Sequence, residues 1–241
     1  MNDVVFLSDM DGTLTPSRQP MEETFAGAFS KLLEGKTFYI VTGSDLSKIK
    51  EQIPEFVMER FSGVYASMGN EFFIKNKQVY KNEFVPEGSL LSKLEEYIAQ
   101  TRYPGKLYPN HIERRCGMVN FCVVGRDCPL EARFQYQAWD NSASERKAIA
   151  HELSGLFPQY KFEIGGAISI DIVPHGFGKE QAADKVRTLH PTAKIVFFGD
   201  RTAPGGNDYA VAERLRQLGN CEIVTVSEPA DVLRYMDGIA H

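Results

Sequence analysis

The chain has 241 residues, enough for one or two domains with sizeable cores at roughly 150 residues per domain. Lys and Arg number 27 against 32 Asp and Glu, a formal net charge of -5, and 43% hydrophobic with 24% charged residues is an ordinary globular balance. It argues against a fibrous protein and against a general binder of nucleic acid or anionic membranes, which would be basic.

The opening stretch MNDVVFLSDMDG has no basic leader, and its apolar run reaches only from Val4 to Leu7, so neither a signal peptide nor a membrane span fits. A soluble, cytoplasmic protein is expected. The four cysteines are too few for a disulfide scaffold and include no Cys-x-x-Cys pair for zinc. Short apolar runs that end in polar or glycine-containing turns predict strands buried on both faces at 4–8, 37–43 and 63–69. A helix-patterned segment lies at 21–33, and another runs through KIKEQ.

From about 82 to 178 the pattern changes. A helix is predicted at 90–100, strand-forming sequence at 111–125, helices near 129–155, and strands at KFEIG and AISIDIV. The alternation then resumes with a helix at 179–189, a strand at 194–200, a helix at 208–219 and a strand at 222–227. Strand-helix alternation predicts a parallel sheet covered by helices, and grouped strands predict an inserted α+β module. The expected division is 1–81 with 179–241 for the sheet domain and 82–178 for the insert.

Ligands of an open α/β sheet bind beyond the carboxyl ends of its strands, so the residues after each strand carry the functional reading. The first run delivers Asp9 and Asp11, then Gly12 and Thr13. Two carboxyl groups side by side suit a nucleophile and a general acid/base, because their environments can push their pKa values apart. The second run ends in VTGSD, where Thr42, Ser44 and the amides around Gly43 could meet an anion at a helix start. Ser44 or Asp45 acting only as a helix cap is the simpler alternative. Lys179 at a helix start is an awkward cation with respect to the dipole, which hints at a phosphate, with a solvated surface lysine as the alternative. The run at 194–200 ends in Asp200, and Asn207 and Asp208 follow a Gly-Gly turn. With Asp9 and Asp11 these form an oxygen-only ligand set of the kind Mg²⁺ prefers.

The order DMDGT, Thr/Ser after the second strand, Lys179, then GD…ND resembles the haloacid dehalogenase superfamily, whose core is a Rossmann-like α/β sheet. The insert stands in the position of that superfamily's type-two (IIB) cap. DGTLTPSRQ, VTGSDLSKIKEQ, ERRCGMVN…GR, GGAISIDIVP and FGDRTAPGGND resemble the eukaryotic-type phosphomannomutases over nearly the whole chain. The resemblance implies Asp9 as the nucleophile that becomes an aspartyl phosphate and Asp11 as acid/base, with Lys179 beside them. It implies Mg²⁺ held by Asp9, the backbone carbonyl of Asp11 and Asp200, with Asp208 in support. Arg18, Arg115, Arg126, Arg133, Ser169 and Asp171 match the family's substrate-contacting positions. Hexose phosphates and a hexose bisphosphate are the implied ligands, and a homodimer through the cap is the implied assembly.

The residues of the insert agree in part. Ser169 and Asp171 share one strand face while Ile168, Ile170 and Ile172 take the other. Arg114 and Arg115 are adjacent on a strand and point to opposite faces, so one of them can enter a site. Cys116 stands where the family has Asn, Thr42 where Gly is usual, and HGFGK replaces an Asp-Gly-Trp-Asp-Lys run. A sugar-phosphate phosphatase on the same scaffold, in which water attacks the aspartyl phosphate, is the alternative activity. A non-catalytic sugar-phosphate sensor is disfavoured because binding alone needs no nucleophile.

Overall fold

The computed structural model describes residues 3–239. In chain order the elements are β1 (Val4–Ser8), α1 (Glu23–Leu32), β2 (Thr37–Val41), α2 (Leu46–Gln52), α3 (Glu55–Met58), β3 (Gly63–Ala66), β4 (Glu71–Ile74) and β5 (Lys77–Lys81). Then come α4 (Gly88–Gln100), β6 (Ile112–Arg115), β7 (Met118–Phe121), α5 (Leu130–Ala143), α6 (Glu145–Leu156), β8 (Tyr160–Gly165) and β9 (Ser169–Pro174). The chain closes with α7 (Gln181–Leu189), β10 (Lys194–Gly199), α8 (Tyr209–Leu218), β11 (Cys221–Thr225) and α9 (Pro229–Ile239).

These elements form two compact units. One comprises the chain through Lys81 and again from Gly176 onward, and the other is Asn82–His175. The first holds a seven-stranded sheet in the order β11-β10-β1-β2-β3-β4-β5. The five strands from β11 to β3 pair in parallel, and β4 and β5 add an antiparallel edge. The parallel strands are apolar on both faces because helices cover both. Phe6, Phe38, Ile40, Val196 and Phe198 pack on one side with Phe25 and Phe29 of α1 and Met236 of α9. Val5, Leu7, Tyr39, Ile195 and Phe197 pack on the other with Val186 of α7 and Leu215 of α8. Period-2 alternation within each strand thus feeds two cores at once.

The structure corrects several sequence expectations here. The run at 63–69 is a strand only to Ala66, after which Ser67–Gly69 form a 3-10 turn. The β4-β5 hairpin, α3 and α9 went unforeseen. Lys179 lies before α7, in a turn closed by hydrogen bonds from Gln181 N to Gly178 O (3.1 Å) and Ala182 N to Lys179 O (3.2 Å).

The second unit holds a four-stranded antiparallel sheet, β6-β7-β9-β8. Its apolar face (Val119, Phe121, Ile170 and Ile172) packs against Leu90 and Leu94 of α4, Tyr136 of α5, and Ile149 and Leu153 of α6. The predicted division of β9 holds, with Ile168, Ile170 and Ile172 all in this core.

Candidate functional site

At the carboxyl edge of the seven-stranded sheet, β1 ends at Ser8 and the chain turns away with Asp9. That turn stays tied to β10, because Asp9 N donates to Phe198 O at 2.9 Å. Asp9 is 2% exposed. Its Oδ1 accepts from Lys179 Nζ at 2.5 Å, and its Oδ2 accepts from Thr13 Oγ1 at 3.3 Å. Lys179 Nζ also donates to Asp208 Oδ1 at 2.5 Å. Asp208 sits at the N-terminal boundary of α8 but makes no side-chain cap there; its Oδ2 instead accepts from Arg201 N at 3.2 Å.

One ammonium therefore lies between two buried carboxylates, the three groups arriving from three separate segments of the chain. Burial alone would push the Lys179 ammonium down, but Asp9 and Asp208 outweigh it and hold the group charged above its usual range. Asp9 is raised, chiefly by burial and further by Asp208, with Lys179 opposing. Asp200 is raised to about 6, first by burial and then by the charges of Asp208 and Asp9. Such a cluster gains little net stability from its ion pairs, since desolvation cancels most of the attraction. Clusters of this kind with shifted carboxylates gather at functional sites.

Oxygen atoms of Asp9, Asp200 and Asp208 lie within 4.8 Å of one another. Asp200 Oδ1 is buried and has no hydrogen-bond partner among the described residues. An orphaned carboxylate oxygen in an all-oxygen cluster fits a hard divalent cation, which would satisfy it. Gly12 is part of this arrangement. Its φ is +85°, and a Cβ there would lie 2.6 Å from Asp200 Oδ2, so only glycine lets this backbone come so close to the carboxylate.

The remaining residues proposed for this unit are held by local hydrogen bonds. The Asp11 carboxylate is turned to the loop, where its Oδ1 accepts from Arg18 N at 2.8 Å. Arg18 is exposed, with φ of 58°. Thr42 is 1% exposed, and its Oγ1 accepts from Ser44 N at 3.1 Å. The cap of α2 is Asp45, whose Oδ1 accepts from Lys48 N at 3.0 Å, which settles the choice between Ser44 and Asp45.

In the second unit, the polar face of the sheet brings together four of the five residues proposed there. Arg126 Nη1 donates to Ser169 Oγ at 3.1 Å, and Asn120 Nδ2 donates to Asp171 Oδ1 at 2.5 Å. Burial holds the Asp171 carboxyl above its ordinary range, with Asn120 and the nearby Arg115 and Arg126 opposing that only in part. Arg115 joins through Glu113, whose Oε2 accepts from Arg115 Nε at 2.9 Å and Nη2 at 2.5 Å and lies 3.3 Å from Arg126 Nε. Arg133 is held by backbone: its Nη2 donates to Arg126 O at 2.7 Å and its Nε to Cys128 O at 3.4 Å. Among the described residues Arg133 makes no ion pair with the neighbouring Glu131, whose Oε1 accepts from Gln135 Nε2 at 3.2 Å.

Sequence reasoning missed Glu113, Asn120, Gly165 and Arg146. A Cβ at Gly165 would lie 2.5 Å from Asp171 Oδ2. Arg146, paired with Asp140 at 2.7 Å, donates to Gly166 O at 3.0 Å and Ser169 O at 3.3 Å, fixing the start of β9 from behind. The register across β6, β7 and β9 aligns Glu113, Asn120 and Asp171 in one row, a pairing that only the folded sheet reveals.

The parallel sheet with its acidic strand-end cluster and a separate antiparallel insert defines a protein of the haloacid dehalogenase fold. A haloacid dehalogenase-like hydrolase from Bacteroides thetaiotaomicron superposes with a TM-score of 0.64 at 12% identity, covering 99% of this chain and 100% of that one. The IMP-nucleotidase of Plasmodium falciparum superposes at 0.59 and 16% identity, covering 100% of this chain and 68% of that one. The family model for eukaryotic phosphomannomutase matches residues 25–240. Phosphomannomutase 1 of Mus musculus is 33% identical over 96% of this chain and 90% of its own length. The phosphomannomutase of Saccharomyces cerevisiae is 30% identical over 97% and 93%. The chain belongs to the eukaryotic phosphomannomutase family.

Proposed function

We propose that the chain interconverts mannose 6-phosphate and mannose 1-phosphate, by way of an aspartyl phosphate and a hexose bisphosphate. The observation that carries this reading is the buried Asp9–Lys179–Asp208 cluster, with Asp200 beside it, at the strand ends of a family member. Phosphoryl transfer leaves little covalent work to a protein beyond positioning and neutralising charge. Asp9 is the nucleophile: one carboxylate oxygen takes the phosphoryl group, and the phospho-Asp9 passes it to the free hydroxyl of a hexose monophosphate. Asp11 accepts that hydroxyl's proton as the bisphosphate forms. Asp9 then takes the other phosphoryl group, and Asp11 returns the proton to the leaving oxygen. Lys179 holds Asp9 ionised and oriented and counters the charge of the incoming phosphate.

Mg²⁺ is the cation we assign to the carboxylates of Asp9 and Asp200 and the backbone carbonyl of Asp11, with Asp208 in support. When bound it supplies charge neutralisation at the transferring group. Thr42 and Ser44 are assigned to the same phosphoryl group and Arg18 to the substrate.

The segment 82–178 is assigned as the cap that selects substrate. Arg115, Arg126 and Arg133 grip the phosphate that is not being transferred, since a guanidinium can donate two parallel hydrogen bonds to it. Ser169 and Asp171 take sugar hydroxyls. The local charge supports this, because residues 102–133 carry six Lys or Arg against three Asp or Glu within an acidic chain. A homodimer through this segment is supported by Leu130 and Phe134, one turn apart on α5 and 66% and 58% exposed. A cytoplasmic location fits hexose phosphate substrates, and among the described residues no helix is long and apolar enough to cross a membrane.

A sugar-phosphate phosphatase is the second reading, favoured by Thr42 where the family usually carries Gly. The test of the main reading is Asp9→Asn. Turnover is expected to vanish with the circular-dichroism spectrum unchanged, and phosphate from a hexose bisphosphate is expected on the Asp9 peptide of the wild type only. Substantial turnover by the variant would overturn the nucleophile assignment.

A further inference from the structure

The two arginines that reach the polar face of the insert, Arg115 and Arg126, share one counter-ion. Glu113 Oε2 accepts from both Nε and Nη2 of Arg115 and lies 3.3 Å from Nε of Arg126. Side-chain exposure is 34% for Glu113, 39% for Arg115 and 24% for Arg126. An ion pair this exposed contributes little to folding, because water and salt screen it and two long side chains must be ordered to make it. Its consequence lies in geometry.

Two guanidinium groups brought together on one sheet face repel each other, and a carboxylate between them removes that repulsion. The bonds also select which edge of each guanidinium is used. Arg115 turns its Nε/Nη2 edge to Glu113 and keeps Nη1 for a ligand. Arg126 commits Nε to Glu113 and Nη1 to Ser169 and keeps Nη2. Opposite Glu113 across β6 and β7 stands Asn120, which bonds Asp171, so the same row that fixes the arginines continues to the proposed sugar-binding acid.

We infer that Glu113 is a positioning residue that pre-orders Arg115 and Arg126 for the phosphate of a hexose phosphate. This deepens the proposed function and rests on its assignment of those two arginines to that phosphate. Ordering a flexible arginine before binding removes an entropic cost that the ligand would otherwise bear. The charge of Glu113 opposes the phosphate at the same time, and the inference is that the ordering outweighs the repulsion.

The experiment measures equilibrium binding of mannose 1-phosphate with Mg²⁺ present, in the full-length Asp9→Asn protein, so that turnover does not intervene. Adding Glu113→Ala is expected to weaken binding about tenfold, and Glu113→Gln, which keeps the acceptor oxygen, to recover it to within about threefold. Steady-state kinetics of the single variants are expected to show the loss in KM rather than kcat. Unchanged or tighter binding by Glu113→Ala, or no recovery by Glu113→Gln with its fold intact by circular dichroism, overturns the inference. Arg115→Ala separates the two levels. If it weakens binding while Glu113→Ala does not, the positioning role fails alone; if it also leaves binding unchanged, the assignment of the insert to the phosphate fails with it.

Discussion

Replacing Lys179 by Met keeps the length of the side chain and removes its charge, and the result follows from what the ammonium touches. Its Nζ is 2.5 Å from both Asp9 Oδ1 and Asp208 Oδ1, and the three side chains are 3%, 2% and 0% exposed. Without it, two carboxylates face each other out of water with Asp200 nearby. Removing one partner of a buried ion pair costs about 3–5 kcal/mol, because the remaining charge is left uncompensated. For a chain of this size each kcal/mol lowers the unfolding midpoint by about 2–4 °C, so a fall of about 6–20 °C is expected in chelator. Thermal unfolding by circular dichroism measures it. Asp208→Asn closes a double-mutant cycle, and the double variant should lose less than the sum of the singles, since Asp208→Asn removes one of the two charges whose repulsion Lys179→Met exposes. A midpoint within about 1 °C of wild type, or strictly additive losses, would show that Lys179 does not compensate this cluster.

A pH dependence follows from Asp200. Burial first, then Asp208 and Asp9, lift its carboxyl from 3.8 to about 6, so between those values the folded protein binds more protons than the unfolded one. This group's contribution to stability therefore falls as pH rises through that window and is flat above it. In chelator, Asp200→Asn should gain in midpoint over wild type more at pH 7 than at pH 4.5, and an equal gain at both would contradict the assigned shift. Gly12→Ala should weaken Mg²⁺ binding and activity together, because the added Cβ would lie 2.6 Å from Asp200 Oδ2 at a φ of +85°. Titration calorimetry with Mg²⁺ reads this directly, and wild-type affinity would show that the close approach is dispensable.

The five parallel strands were readable because each is buried on both faces, which leaves an unbroken apolar run bounded by turns. β5, KQVYK, is exposed along nearly all of its length, and its partner β4 is reached through Lys75 and Asn76, both at positive φ. A short charged edge hairpin carries no such run. α9 escaped because its apolar residues, such as Val232 and Met236, signal a helix only once a face of the sheet is known to need cover. Asp9, Asp200 and Asp208 were legible from one rule, that ligands meet the carboxyl ends of parallel strands. Lys179 was picked out for an unfavourable position at a helix dipole, yet what gives it meaning is the pair of carboxylates 170 and 29 residues away in sequence. Glu113 and Asn120 were invisible for a related reason. A glutamate before two arginines reads as ordinary surface until the register of three strands aligns it with Asp171.

A mutase and a phosphatase differ in whether phospho-Asp9 hands its phosphoryl group to a sugar hydroxyl, as proposed, or to water. The most direct test supplies mannose 1-phosphate, Mg²⁺ and a catalytic amount of a hexose bisphosphate, then follows mannose 6-phosphate and free phosphate in the same reaction. Mannose 6-phosphate is expected to accumulate to equilibrium, with free phosphate a minor product. Free phosphate released in step with loss of mannose 1-phosphate, without the isomer, would contradict it and identify a phosphatase.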